Sequence, residues 1–282
     1  MQHLGFREKV SEPHMKSHLD EWDEVLERAS GDSWWMPARV VRVVRPEISY
    51  TYDPEGVSLY CTVQRIDQHL SDYRDLIEEV IEAHRPSGSC DIAVAAPSTS
   101  PLLTQALEQR GFQTIDVADA WTIDVNAPRP DLPRDLEVMR VETLEAMQDM
   151  DRVMDACFER YQPRGTEALQ ADLKATQGAE SRCLRFVAYD LNDHTPLATA
   201  ALNLFAEQRV GFMWGGSTIP EARGRGVYSA LITHRMQVAR ALNLERIGLY
   251  ALRGTSGPII ERQGFDRHGP VEFWSLKCET PA

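Results

Sequence analysis

The residues of this chain best suited to chemistry stand together near its C-terminal end, in Thr218-Ile-Pro-Glu-Ala-Arg-Gly-Arg-Gly-Val-Tyr228, directly ahead of an apolar-periodic run from Ser229 to Leu242. Glycines let a backbone approach a phosphate closely, and the start of a helix presents unpaired N–H groups at the positive end of its dipole. Arg223 and Arg225 add charge suited to phosphate oxygens. Such a segment is built for a pyrophosphate-bearing cofactor. The competing reading is an ordinary tight turn with solvated arginines, and the flanks must decide between them.

Leu197 to Leu204 and Val210 to Trp214 are β-rich runs separated by Phe205-Ala-Glu-Gln-Arg209, which predicts a hairpin feeding the loop. Beyond the loop, Tyr228, Leu231, Ile232, Met236, Ala239 and Leu242 recur at helical spacing, and Arg246 to Leu252 reads as another strand. Thr255 or Ser256 then caps a short helix with Pro258 in its first turn, and Gly264-Phe265 supplies a left-handed stop.

Strand, glycine loop, helix, strand, short helix and Glu-x-x-Gly-Phe, in that order, resemble the Gcn-related N-acetyltransferase (GNAT) superfamily. The family's cofactor signature of Gln or Arg, two residues, Gly, one residue, then Gly or Ala falls on Arg223, Gly226 and position 228, which here is Tyr. Its Val-x-Pro falls on Thr218-Ile-Pro220 and its Glu-x-x-Gly-Phe on Glu261 to Phe265. The resemblance implies acetyl-CoA as acyl donor, held by Gly216, Ser217, Thr218, Arg223, Gly224, Arg225, Gly226, Val227, Tyr228 and Ser229. It implies direct attack of a primary amine, expected to be a small molecule, on the thioester. A break in strand pairing is expected at Gly215-Gly216, since adjacent glycines favour bulges.

The family's usual acid is a Tyr five residues before the Phe of Gly-Phe, where this chain has Ile260. Tyr250 on the preceding strand and Ser256 are the substitutes, although core packing explains the first equally well and helix capping the second. Glu207, Glu272 and His268 are the candidate bases, with a water chain as the alternative. Arg253 reads by default as a solubilising residue. The departure at Ile260 keeps a second reading open, a module that binds or senses acyl-CoA without turnover.

Composition bounds the rest. With 282 residues, 43% hydrophobic and 26% charged, the chain has material for two cores and is not expected to be disordered. No stretch has the length and apolarity of a membrane span, and Met1-Gln-His-Leu-Gly-Phe-Arg-Glu-Lys lacks a signal-peptide apolar region, so a cytoplasmic protein is expected. Five scattered cysteines and eight dispersed histidines form no metal-ligand pattern. Lys and Arg minus Asp and Glu give 12 − 23 = −11 for residues 1–132 and 18 − 20 = −2 for residues 133–282. An acidic N-terminal half repels nucleic acid and favours cationic partners, or simply solvates helix faces such as Asp20 to Glu27 and Asp72 to Glu82.

That half carries an echo of the other. Glu108-Gln-Arg-Gly-Phe112 with Trp121 matches Glu261-Arg-Gln-Gly-Phe265 with Trp274 at the same offset, a repeat with period 153. Between them, Asn126-Ala-Pro-Arg-Pro-Asp-Leu-Pro133 has the composition of a linker. The expected α/β (α+β type) fold is therefore two GNAT-like domains, 1–130 and 131–282, each a mixed, mostly antiparallel sheet flanked by helices. The first copy runs from strand to helix through Tyr60 to Ser71 without a glycine, so one coenzyme is expected per chain, in the second.

Overall fold

The computed structural model describes residues 39–278 apart from 58–59, 96–99, 159–160, 162 and 178–180, together with residues 22, 25–29 and 36. The acidic stretch Asp20 to Glu27 lies partly outside the described residues. In chain order the first half contributes β1 (Val41–Val44), β2 (Ile48–Tyr52), β3 (Thr62–Ile66), α1 (Arg74–His84), β4 (Ser89–Ala95), α2 (Pro101–Arg110) and β5 (Gln113–Asp124). The second contributes β6 (Leu136–Arg140), α3 (Leu144–Cys157), α4 (Thr166–Ala175), β7 (Cys183–Asp190), β8 (Pro196–Phe205) and β9 (Val210–Thr218). It continues through α5 (Val227–Ala241), β10 (Arg246–Leu252), α6 (Gly257–Arg262) and β11 (Asp266–Lys277). No described helix is long and apolar enough to cross a membrane.

The mixed, mostly antiparallel sheet with flanking helices is as expected, but the two halves share one sheet of eleven strands in the order β1-β2-β3-β4-β11-β5-β10-β9-β8-β7-β6. The middle of that order shows an exchange. β5, from the first half, pairs antiparallel with β10 of the second, while β11, from the second half, pairs antiparallel with β4 of the first. β5 and β11 also pair with each other, which closes the seam.

The repeated sequence frame explains the symmetry of this seam. Gly111 ends α2 at φ 95° and Gly264 follows α6 at φ 76°, and in each case the next residue, Phe112 or Phe265, donates its N–H to a carbonyl in the helix just ended. A side chain at either glycine would be strained, so the same turn launches both final strands. The two tryptophans then land in each other's half. Trp121 packs in the core under α5 with Leu231, Met236 and Leu249, and Trp274 packs in the core of the first half with Ile77, Ile92 and Leu103. Each half thus completes its core with the other's tryptophan.

A third cluster, on the other face of the central strands, holds Leu26, Ala29, Ala118, Ala120 and Phe212, with Trp214, Tyr250, Leu252 and Phe273 packed against it. The face is close-packed: a β-carbon on Gly248 would stand 2.0 Å from Cδ2 of Leu26. Cys61, Cys90 and Cys183 are buried free thiols.

Candidate active site

The site grows from a parting of strands. β9 and β10 run parallel and pair only at Val210, Gly211 and Phe212 against Arg246, Ile247 and Gly248. Beyond those pairs β9 continues beside β8 and β10 beside β5, so a wedge opens between them. Parallel strands that part in this way leave backbone groups without ladder partners. Arg253 donates its N–H to Val117 O on β5, so by alternation Leu252 and Tyr250 turn theirs toward the wedge. Leu252 N–H is met there by Ser256 Oγ at 3.0 Å.

On the other wall of the wedge, Thr199 pairs with Ser217 but Ala201 with Trp214, so β9 carries one residue more than β8 across Gly215 and Gly216. This is the bulge expected from the glycine pair. Gly215 sits at φ 60°, and both glycines are exposed.

The loop follows at once. Pro220–Ala222 form a 3-10 turn, and Gly224 and Gly226 both adopt φ 79°. No described atom beyond its chain neighbours lies within 4 Å of where a Gly224 side chain would begin. Gly226 is the N-cap of α5 and no side chain caps that helix, so the first-turn N–H groups open onto an exposed surface with the helix dipole behind them. Val227 anchors the turn in the core. Thr218 Oγ1 is buried with no hydrogen-bond partner among the described residues. An uncapped helix start, exposed left-handed glycines and an orphaned hydroxyl at a strand end are what a diphosphate with a polar tail would satisfy, so the residues fit a diphosphate-bearing group such as a coenzyme A thioester.

The remaining sequence-predicted residues have distinct fates. Arg223 is exposed and its Nε bonds Thr218 O at 3.3 Å. Arg225 is instead tied to Asp190 at 2.8 Å and Asp135 at 3.3 Å, and the guanidinium beside Asp190 holds that carboxyl below its ordinary range. Ser217 is buried, its hydroxyl 3.7 Å from Met154 Sδ on α3. The Tyr228 ring lies against Gly216, and burial raises its phenol pKa. Ser229 Oγ accepts from Gln263 Nε2 at 2.7 Å.

Tyr250 packs edge-on to Phe212 at 5.4 Å, beside Trp214, on the face away from α5. Ser256 is the N-cap of α6 but its side chain caps nothing; it serves Leu252 N–H instead. Ile260 is fully buried in the core under α5, so nothing at that position can act as an acid. Glu207 is exposed in the β8–β9 turn, and His268 Nε2 lies 2.8 Å from Thr122 Oγ1. Val271 and Phe273 share Tyr250's face, which puts Glu272 on the opposite one by strand alternation; its carboxylate accepts from Trp274 Nε1. Arg253 and Arg267 both pair with the buried Asp119. Burial opposes Asp119 ionisation, yet the two guanidinium groups outweigh it and keep the pKa low.

Sequence reading missed the polar ties between halves. Tyr60 of the first half donates to Asp172 of α4 at 2.9 Å, and Asp172 also meets Arg164 and, at 3.5 Å, Arg185. Burial, then the Asp172 charge, push the Tyr60 phenol up to about 12. No local motif marks such a contact, because its partners lie 112 residues apart.

The matching loop of the first half is closed. Between β3 and α1, Asp72 Oδ1 accepts Arg74 N–H at the helix start, where a carboxylate repels an anion. Gln68 Nε2 reaches Ala95 O at 2.6 Å, bridging from this loop to the end of β4.

Residues 147–265 match the Acetyltransferase (GNAT) family. They form a GNAT acetyltransferase domain. No curated protein matches the chain in sequence. Among solved structures, a GCN5-related N-acetyltransferase from Kribbella flavida is 13% identical with a TM-score of 0.61, over 90% of this chain and 94% of that one. A tandem GNAT protein from the clavulanic acid biosynthesis pathway, in a structure without AcCoA, is 13% identical with a TM-score of 0.60, over 93% and 88%. A conserved protein of unknown function from Staphylococcus epidermidis is 17% identical with a TM-score of 0.60, over 85% and 94%. These likenesses span both halves, so the GNAT-like fold extends beyond the matched domain into residues preceding 147.

Proposed function

We propose that the protein transfers an acetyl group from acetyl-CoA to a primary amine of a small molecule, using one coenzyme site per chain. The observation that carries this reading is the conjunction of the β9–β10 wedge, the Gly215-Gly216 bulge and the uncapped start of α5. Acetyl-CoA supplies an acyl group already activated as a thioester. What remains for the chain is positioning, polarisation and proton handling.

The α5 first turn and Gly224 to Gly226 take the diphosphate, with the exposed Arg223 as counter-charge. The bulge at Gly215 and Gly216 turns backbone toward the wedge, where an N–H can polarise an acyl carbonyl. Phe212, Trp214 and Tyr250 form an aromatic wall beside it. For the leaving thiolate, Tyr250 and Ser256 are the candidate proton donors. Ser256 Oγ accepts from Leu252, which leaves its own proton to donate. The first half, residues 1–130, acts as a wall tied on through Tyr60 and the shared sheet, and residues 131–282 carry the chemistry.

Calorimetric titration of acetyl-CoA into the wild type and Gly226→Glu tests the site, with binding expected only to the wild type. Equal binding by both would remove the loop's role. A panel of amines read by thiol release then defines the acceptor.

The buried Ile260 supports a second reading, an acyl-CoA-binding module without turnover. Binding without thiol release across amines and protein lysines would favour it, and acetylation dependent on the Arg223 loop would exclude it.

A further inference from the structure

The linker between the halves does more than connect them. It crosses α5, where Arg240 Nη2 donates to Val125 O at 2.6 Å, and Pro133 reaches within 4.0 Å of where a Gly226 side chain would begin. Between linker and helix lies a cavity of about 370 Å³, bordered by Arg129 and Asp131 on one side and Thr233, Gln237 and Arg240 on the other.

Arg129 is the unusual group there. Its Nη1 donates to Gln263 Oε1 at 2.8 Å, its guanidinium stacks over the Phe265 ring at 5.7 Å, and its buried Nε has no hydrogen-bond partner among the described residues. No described carboxylate is within ion-pair distance of Arg129, and burial alone lowers its pKa. Arg129 is half-buried, and a partly desolvated guanidinium set against neutral partners is completed when an anion joins it. Gln263 passes the contact on, because its Nε2 donates to Ser229 Oγ in the first turn of α5. Arg129 is thus two hydrogen bonds from the turn assigned to the diphosphate.

Resting on the proposed acetyl-CoA site, we propose that Arg129 of the linker binds the ribose 3′-phosphate of coenzyme A. The coenzyme carries that phosphate on the same sugar as its diphosphate, so a cation adjacent to the diphosphate turn is where it is needed. Gln263 orients the guanidinium and Arg240 lends a second positive charge across the cavity. The residue makes the link between halves part of the coenzyme site.

The experiment is a cycle of two ligands and three proteins. Acetyl-CoA and acetyl-dephospho-CoA, which differ only in the 3′-phosphate, are titrated calorimetrically into wild type, Arg129→Met and Arg129→Lys. A charge-assisted contact predicts about tenfold tighter binding of acetyl-CoA by the wild type. Arg129→Met should lose that preference while binding acetyl-dephospho-CoA as before, and Arg129→Lys should regain part of it. Equal affinity of the wild type for both ligands would overturn the inference without a variant, and so would an equal loss for both ligands in Arg129→Met. Failure of the wild type to bind either ligand would be a different result, sinking the coenzyme site itself and this inference with it.

Discussion

The ring of Tyr228 stands against Gly216: a β-carbon built on that glycine would stand 2.8 Å from Tyr228 Cε2. The position where the family signature has Gly or Ala is therefore filled by a side chain that uses the space of a missing one on the neighbouring strand. Tyr228 and the β9 bulge are one packing unit.

Gly216→Ala should push the ring off the bulge and weaken acetyl-CoA binding by about tenfold, with a coupling of about 1 kcal/mol to position 228. The Gly216→Ala, Tyr228→Ala double variant should recover most of the affinity. Additive losses in calorimetry would mean that the two residues do not act together.

Arg225 is held by two carboxylates, so much of its charge is spent before a ligand arrives. Asp190→Asn should release it toward the loop and strengthen acetyl-CoA binding about threefold at low salt, whereas Arg223→Ala should weaken binding about tenfold. Unchanged affinity in Asp190→Asn would show that Arg225 never reaches the phosphates.

The exchange of β5 and β11 predicts that neither half is stable alone. Residues 1–130 expressed without 131–282 would lack β11 and Trp274, and 131–282 would lack β5 and Trp121. Trp121→Ala should cost about 3–5 kcal/mol, although the residue precedes the GNAT match. A cooperative thermal transition in either isolated half would contradict the exchange.

Acid should destabilise the protein in a defined window. His84 is fully buried, its Nε2 donating to Thr51 O at 2.9 Å and its Nδ1 without a partner among the described residues. Burial lowers its pKa below the ordinary 6.5, and burial likewise lowers that of His234, which packs on Phe186. Below pH 6.5 the unfolded chain binds protons that the folded chain refuses, so stability present above that pH is lost as pH falls. The slope for His84 approaches about 1.4 kcal/mol per pH unit. His84→Gln should flatten it in urea titrations between pH 6.5 and 5, and an unchanged slope would assign the loss to other groups.

The sequence by itself determined the parts whose cause is local. Gly224 and Gly226 take left-handed φ, Gly215 and Gly216 bulge a strand, Gly111 and Gly264 stop helices, and α5 starts without a cap, because these depend on residues a few positions apart. The repeat of Glu-x-x-Gly-Phe and Trp was likewise visible as text. Which half each tryptophan completes was not, because β5 is equally a strand whether it pairs with β4 or with β10, and only the cores on either side of the seam select the partner. The same holds for side chains whose role depends on what arrives from afar. Arg225 met Asp190, Arg253 met the buried Asp119, Ser256 met Leu252 N–H rather than its own helix, and Arg129 met Gln263 with no described carboxylate in reach. Charge and hydroxyl are written in the sequence, but their partners are fixed by long-range packing, and the partner decides whether a group is spent in the fold or left for a ligand.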